Sequence, residues 1–266
     1  MQRYLEILPL LVRLRVKSEM EYRGAYLLDR LAQIVAYGSA FATVWLIVNR
    51  FAMLGGWRWP ELALLLSAQL VAYASGAALS FTQFRDLEEQ VRLGTFDALL
   101  VRPINPWLYL TFSGLNIGYL GHVILAVALM AWALVVADVD WTAWRVLYFI
   151  AALVSASLVV AAVMTMIGVS ALVLVQSSYL YSIFFGFWEL TRYPISIYPA
   201  ALQWALVTVV PLGFMNYVPV AVFLGKDVAL LGPWGMALSL LAGPAAVSAA
   251  IWHWRWCLAR YQGGGG

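Results

Sequence analysis

Charge is scarce in this chain: Asp, Glu, Lys and Arg make up 11% of its 266 residues, against about 25% in a soluble domain. So few charges could not cover a water-facing surface. Cysteine is scarcer still, with Cys257 alone, which excludes an internal disulfide and any multi-cysteine metal site. The lysines are Lys17 and Lys226, and neither stands in a GxxxxGK[ST] run, so the chain has no phosphate-cradling loop for ATP. The histidines, His122 and His253, cannot form HExxH, and no Ser–His–Asp arrangement can be argued. A net charge of +3 gives no support to a nucleic-acid partner. No cofactor or metal is expected within the chain.

What abounds is apolar sequence, 64% of the whole, gathered in long runs rather than in alternation. Runs of about 18 or more such residues are bilayer-spanning helices. The expectation is one all-α integral membrane domain of about six transmembrane helices, residues 31–256, without a separate soluble domain. Residues 1–30 mix Leu5, Leu8, Val12 and Val16 with ten charged positions from Arg3 to Arg30. That spacing suits an amphipathic helix lying along the cytoplasmic surface, bent at Pro9. The plainer alternative is a basic flank anchoring the first span. The charges leave no uninterrupted apolar core, so a cleavable signal peptide is not expected.

Spans are expected at about 31–49, 61–82, 107–136 and 144–170. Three further apolar segments lie at 177–190, 200–218 and 234–254. Lys and Arg concentrate on cytoplasmic loops. They crowd into residues 1–30, into the 83–106 connector and into the tail 257–266 with its flank at Arg255, which asks for both termini in the cytoplasm and an even number of crossings. One of the three late segments should therefore not cross. Either 177–190 crosses and the Pro-bounded 200–218 is re-entrant from outside, or 200–218 crosses and 177–190 is interfacial. Placing Arg192 inside favours the second by a little. Trp57, Trp59, Trp141 and Trp144 mark one interface, and Trp107, Tyr109, Trp252, Trp254 and Trp256 the other.

Ionisable residues inside membrane spans are functional candidates by default, and here the spans are nearly free of them. His122 is the clear one, best read as a neutral histidine bonded to a neighbouring helix. An ion-coupled carrier needs buried carboxylates, and none are on offer. The connector is more informative. Phe84, Leu87 and Val91 fall on one helical face, with Glu88, Glu89 and Arg92 opposite. Gly94 is placed to end that helix, Asp97 to cap the next turn, and Arg102-Pro103 to lead into the third span. A short amphipathic helix of this kind suits docking into a partner's groove; a solvated hairpin between two spans is the bland alternative. Gly114, Gly118 and Gly121 form a GxxxG-type stripe for close helix packing.

Glu89-x-x-Arg92-x-Gly94-Thr95-Phe96-Asp97-x-Leu99-Leu100-x-Arg102-Pro103 resembles the loop between spans two and three in permease subunits of type-2 ABC exporters, and in particular a small bacterial group of paired permeases. The run Arg192-Tyr193-Pro194-Ile195-Ser196-Ile197-Tyr198-Pro199, then Pro211 and Asn216-Tyr217-x-Pro219, agrees, as does Glu21-Tyr22-Arg23. The resemblance covers nearly the whole chain, although 177–219 does not align cleanly with a fifth span and hairpin. It implies a six-span permease of the plasma (bacterial inner) membrane with an N-terminal interfacial helix and a re-entrant or broken segment before the last span. It implies a coupling helix that docks on an ATPase through Arg85, Asp86, Glu88, Glu89, Arg92, Gly94, Asp97 and Arg102. Two cytoplasmic ABC ATPase subunits would carry ATP and Mg, and a second permease chain, identical or related, would complete the pathway. The chain would then be no enzyme by itself. Two other readings stay open. One is a lipid-modifying membrane enzyme built on Glu189, Thr191, Arg192 and Tyr193, which lack a recognisable nucleophile–base pair. The other is an ion-coupled secondary carrier. No substrate-binding residue can be named.

Overall fold

A computed structural model describes residues 23–116, 118–137, 139–228 and 230–263. Most of the expected interfacial helix, residues 1–22, and the terminal Gly264–Gly266 therefore lie outside the described residues. Among the described residues the chain is helical, with one isolated bridge between Leu54 and Trp57 and no strand. The first helix, α1, runs Arg23–Phe51. It starts eight residues before the expected boundary, so Arg23 to Arg30 are its first two turns.

The turn to α2 is made by Gly55 and Gly56, both at positive φ, with Leu54 and Trp57 exchanging two backbone hydrogen bonds of 3.0 Å. A two-residue turn of this hand needs positive φ at both centres, which glycine adopts without strain. Helix α2, Trp59–Arg85, takes Pro60 in its first turn, where a missing N–H costs nothing. With the short α3, Leu87–Arg92, it forms a run of 34 residues. At 1.5 Å per residue that is about 51 Å, well beyond the about 30 Å of a hydrocarbon core. The excess falls at the charged end, which carries α3.

Helices α4, Thr95–Leu100, and α5, Pro106–Ser113, follow, then α6, Tyr119–Val136. The third span was expected as one helix over 107–136. It is broken between Ser113 and Tyr119 because Asn116 is recruited by α2: its backbone N–H donates to the Ala78 carbonyl at 3.2 Å and its Nδ2 to Thr82 Oγ1 at 3.2 Å. The freed N–H of Gly118 is taken up by Asn116 Oδ1 at 2.9 Å, so the break leaves these groups satisfied. Helix α7, Ala143–Val169, is capped by Thr142 Oγ1, which accepts from Arg145 N. After the single turn α8, Ala171–Leu174, come α9, Ser178–Leu190, then α10, Ala200–Trp204, continued by a π-turn to Val209, then α11, Tyr217–Phe223, and α12, Gly235–Leu258.

Helix α2 is the shaft of the bundle. It packs against α1, α5, α6 and α7, and α7 packs in turn against α12. Glycine lets these helices approach closely: a Cβ at Gly76 would lie 2.6 Å from the Ser157 carbonyl oxygen and 2.9 Å from Ala161 N. Of the apolar window in the Trp59–Arg92 run 78% is buried, against 11% for Leu31–Phe51 of α1. Among the described residues four helices are long and apolar enough to cross a bilayer, and there is a fifth by composition if Ala200–Val209 and Leu212–Phe223 count as one.

That pair is bent by 81°, and its two ends lie together. Ile197, just before it, touches the Gly55 turn; Lys226, just after it, donates to the Gly56 carbonyl at 3.1 Å. Helix α9, by contrast, begins beside Glu88 at the far end of α2. The chain has therefore passed from one end of the bundle to the other between Ser177 and Ile197, and 200–223 leaves and returns to the same end. These contacts run against the small preference for 200–218 as the crossing segment. Arg192, half-buried, is tied locally, in an ion pair of 2.7 Å with Glu189 and over the Trp188 ring.

Candidate functional site

The connector 83–106 folds back on the ends of three helices rather than hanging free. Gly94, at φ +69°, makes the left-handed turn that ends α3 and starts α4. The apolar face of this hairpin is a small core of its own, in which Phe84, Leu87, Phe96 and Leu99 bury against Val169 and Leu172 at and beyond the end of α7 and against Trp254 and Cys257 of α12. Trp254 is met by Trp107, Phe84 and Phe96 at ring separations of 5.4 to 6.4 Å, the edge-to-face spacing that aromatic quadrupoles favour. Tyr261, past the end of α12, adds an edge contact of 5.2 Å to Phe96.

The opposite face is charged and uncovered. Arg85, Asp86, Glu89, Arg92 and Arg102 line it, together with the exposed Leu93 and Val101. Arg85–Asp86 and Arg92–Glu89 form loose ion pairs of 3.5 and 3.8 Å. Exposed pairs of this sort contribute little to stability, so they can be exchanged for a partner's charges at small cost. Arg102 lies over the Tyr109 ring and donates to its hydroxyl at 3.1 Å. Asp97 faces the tail at Gly263 instead. Behind this surface is a polar cavity of about 380 Å³ lined by Thr82, Gln83, Asp86, Thr95, Arg102 and Tyr109.

Glu88 behaves differently from its neighbours. Its Oε2 accepts from the backbone N–H groups of Ser177 and Ser178, each at 2.7 Å, and Oε1 from the Ser178 hydroxyl at 3.3 Å. It caps α9 from 89 residues away. Desolvation pushes its carboxyl up, but the two N–H groups and the serine hydroxyls outweigh that and hold it below the ordinary carboxylate value. The helical pattern had put Glu88 on the solvent-facing side with Glu89. Serines ahead of an apolar run are a signal that could have marked a helix start at 177–178; nothing local signals that the cap comes from the connector.

Gly114, Gly118 and Gly121 do not share a helix. Gly114 ends α5, where a Cβ would crowd Gln83 Cβ at 2.4 Å; Gly118 lies in the break; Gly121 is in α6. Gly121 and His122 border a cleft of about 360 Å³ against Gln33 and Tyr37 of α1. His122 itself is buried between the rings of Tyr37 and Tyr119, at 5.3 and 5.1 Å. The cluster around Glu189 is committed to structure: Thr191 Oγ1 donates to the Trp188 carbonyl and accepts from Gln69 Nε2 at 2.9 Å, and Glu189 pairs with Arg192. Among the described residues no group of His, Cys, Asp and Glu could hold a metal ion.

A search of curated proteins finds no match to this sequence. The family model for ABC-2 family transporter proteins matches residues 34–265.

Proposed function

The chain belongs to the ABC-2 transporter family, and on that premise we propose that it is the permease of an ATP-driven exporter whose 83–106 connector is the grip for a separate ATPase. It is a multi-pass membrane protein of an ABC transporter. The finer reading has six crossings, made by α1, α2, α5 with α6, α7, α9 and α12, with the bent 200–223 pair re-entrant from outside. An even count puts both ends on one side, and the Lys and Arg bias makes that side the cytoplasm of a bacterial inner membrane. Residues 1–30 then lie along the inner surface, 31–256 form the membrane domain, and 257–266 are a cytoplasmic tail.

The observation that carries this reading is the two-faced connector: an apolar side locked onto α2, α7 and α12, and a side of loose ion pairs and bare apolar residues. A docked ATPase would move the connector, and the connector cannot move without the helices it is locked to. Two ATPase chains would bind ATP and Mg²⁺, and a second permease chain, identical or related as in the paired bacterial group, would cover the exposed apolar flank of α1 (Leu31, Val35, Leu46). Nucleotide drives transport in such a device by binding one conformation more tightly than the other. The test is co-purification with the neighbouring-gene ATPase after charge reversal at Asp86, Glu89 and Arg92 together. ATPase is expected to be lost while the permease stays in the membrane. Full retention of ATPase by that triple variant would refute docking at this face.

A further inference from the structure

Glu88 lies on the connector but does not face the surface proposed for docking. Its carboxylate is turned to the start of α9, and both oxygens are engaged: one takes two backbone N–H groups at 2.7 Å, the other a serine hydroxyl. These N–H groups belong to the first turn of a helix, where they have no partner within the helix and where the helix dipole favours a negative charge. A charged acceptor at this distance forms the stronger class of hydrogen bond. The partner is α9, the segment whose other end is fixed deep in the bundle by Gln69 Nε2 donating to the Trp188 carbonyl at 3.0 Å. The apolar residues of the connector are engaged elsewhere: Leu87 and Phe96 pack with α8 and α12 instead.

The backbone just ahead of the cap supports a mechanical role. Val175 has φ +63° and ψ −38°, and Gln176 N donates to the Leu174 carbonyl at 2.7 Å across it, which is a γ-turn of the rare and strained hand. It is held between Val175 N donating to the Ala171 carbonyl at 3.0 Å on one side and the Glu88-bound Ser177 on the other. Strain of this kind persists only where surrounding contacts over-determine it. The α8–α9 turn is thus a bent link held in place from the connector.

We infer that Glu88 is the positioning residue through which the connector drives α9: when the connector shifts, the carboxylate carries the start of α9 with it, while ATPase docking is left to the other charges. This rests on the docking reading above. The test is hydrogen exchange of the complete transporter in lipid nanodiscs, with and without ATP, comparing segments 85–100 and 176–186. In the wild-type complex both segments should change on adding ATP. In Glu88→Ala the ATP-dependent change over 176–186 should drop to about one tenth, as expected for losing a charge-assisted hydrogen-bond pair, and in the volume-conserving Glu88→Gln, whose amide oxygen still accepts but carries no charge, it should fall by a smaller factor, while that over 85–100 persists in both. Glu89→Gln should leave both intact. The ATP-dependent difference is the readout, because a merely structural cap would raise basal exchange at 176–186 and leave that difference unchanged. An undiminished response of 176–186 in both Glu88 variants overturns the inference and spares the docking reading. A wild-type connector that ignores ATP overturns both.

Discussion

Two carboxylates stand near opposite ends of the α2–α3 run, and each ties a distant part of the chain to it. At the α2 end, Glu61 meets Lys226 at 3.1 Å and accepts from the Arg58 backbone N–H at 2.7 Å. At the α3 end, Glu88 meets the N–H groups at the start of α9. Glu61 has a side-chain cation for a partner, itself shared with the Gly56 carbonyl and the Trp57 ring. The short bonds of Glu88 go to backbone, whose position is that of the helix. A side-chain ion pair can stretch or swap partners when a segment moves; a helix start cannot let go of its cap without moving or fraying. The Glu61 tie therefore suits anchoring the loop that closes the bent 200–223 pair, and the Glu88 tie suits transmission.

Both ties depend on α2 being a rigid shaft between the two ends, and the largest expected effect comes from attacking that. Gly76→Leu must push backbone atoms of α7 that already lie within 3 Å of where a Cβ would stand. Overpacking of about 1–3 kcal/mol or more should appear as a sharp loss of thermal stability of the purified chain, and a stability within error of wild type would show that the shaft yields. Next is Glu61→Ala, which leaves Lys226 without its carboxylate in a site where the Glu61 side chain is 10% exposed. A cost of about 1–3 kcal/mol is expected; with the pair removed together, the double variant with Lys226→Met should cost less than the sum of the two singles. If the costs simply add, the two side chains are not coupled.

The Glu88 tie should show a smaller effect with a pH signature of its own. Because the carboxyl of Glu88 titrates below its ordinary value of 4.5 in the folded chain, its contribution is complete above that value and is lost as pH falls through the depressed one. The difference in Tm between wild type and Glu88→Gln should therefore be steady from neutral pH to about 4.5 and close below it. A gap that stays open in acid would mean that charge plays no part in the cap. The smallest effect belongs to α1. At Gly38 an added Cβ would meet nothing within 4 Å, so Gly38→Leu should shift the isolated chain by no more than about 0.5 kcal/mol. A larger loss confined to the assembled transporter would identify α1 as the flank that another chain covers.

Much of this architecture was legible because span length and apolar content are properties of consecutive residues. The helices α2, α7 and α12 fall within a few residues of the expected 61–82, 144–170 and 234–254, and Gly94 marks the end of α3. The break at 114–118 was not legible, since it depends on Asn116 meeting Ala78 and Thr82. The route of 177–223 was not legible either. Helix α9 has 13 residues, short of the about 20 that hydropathy recognises as a span, and the loop polarity around Arg192 could be read both ways.

Sequence alone determined that this chain lives in a bilayer and that its one informative polar connector follows the second helix. Those features depend on composition and short-range spacing, which need no partner to be read. Tertiary structure decided which end of the bundle each late segment reaches and that Glu88, outwardly a twin of Glu89, turns inward. The physical reason is that a cap is made by whichever acceptor the fold brings to the helix start, and here that acceptor lies 89 residues away.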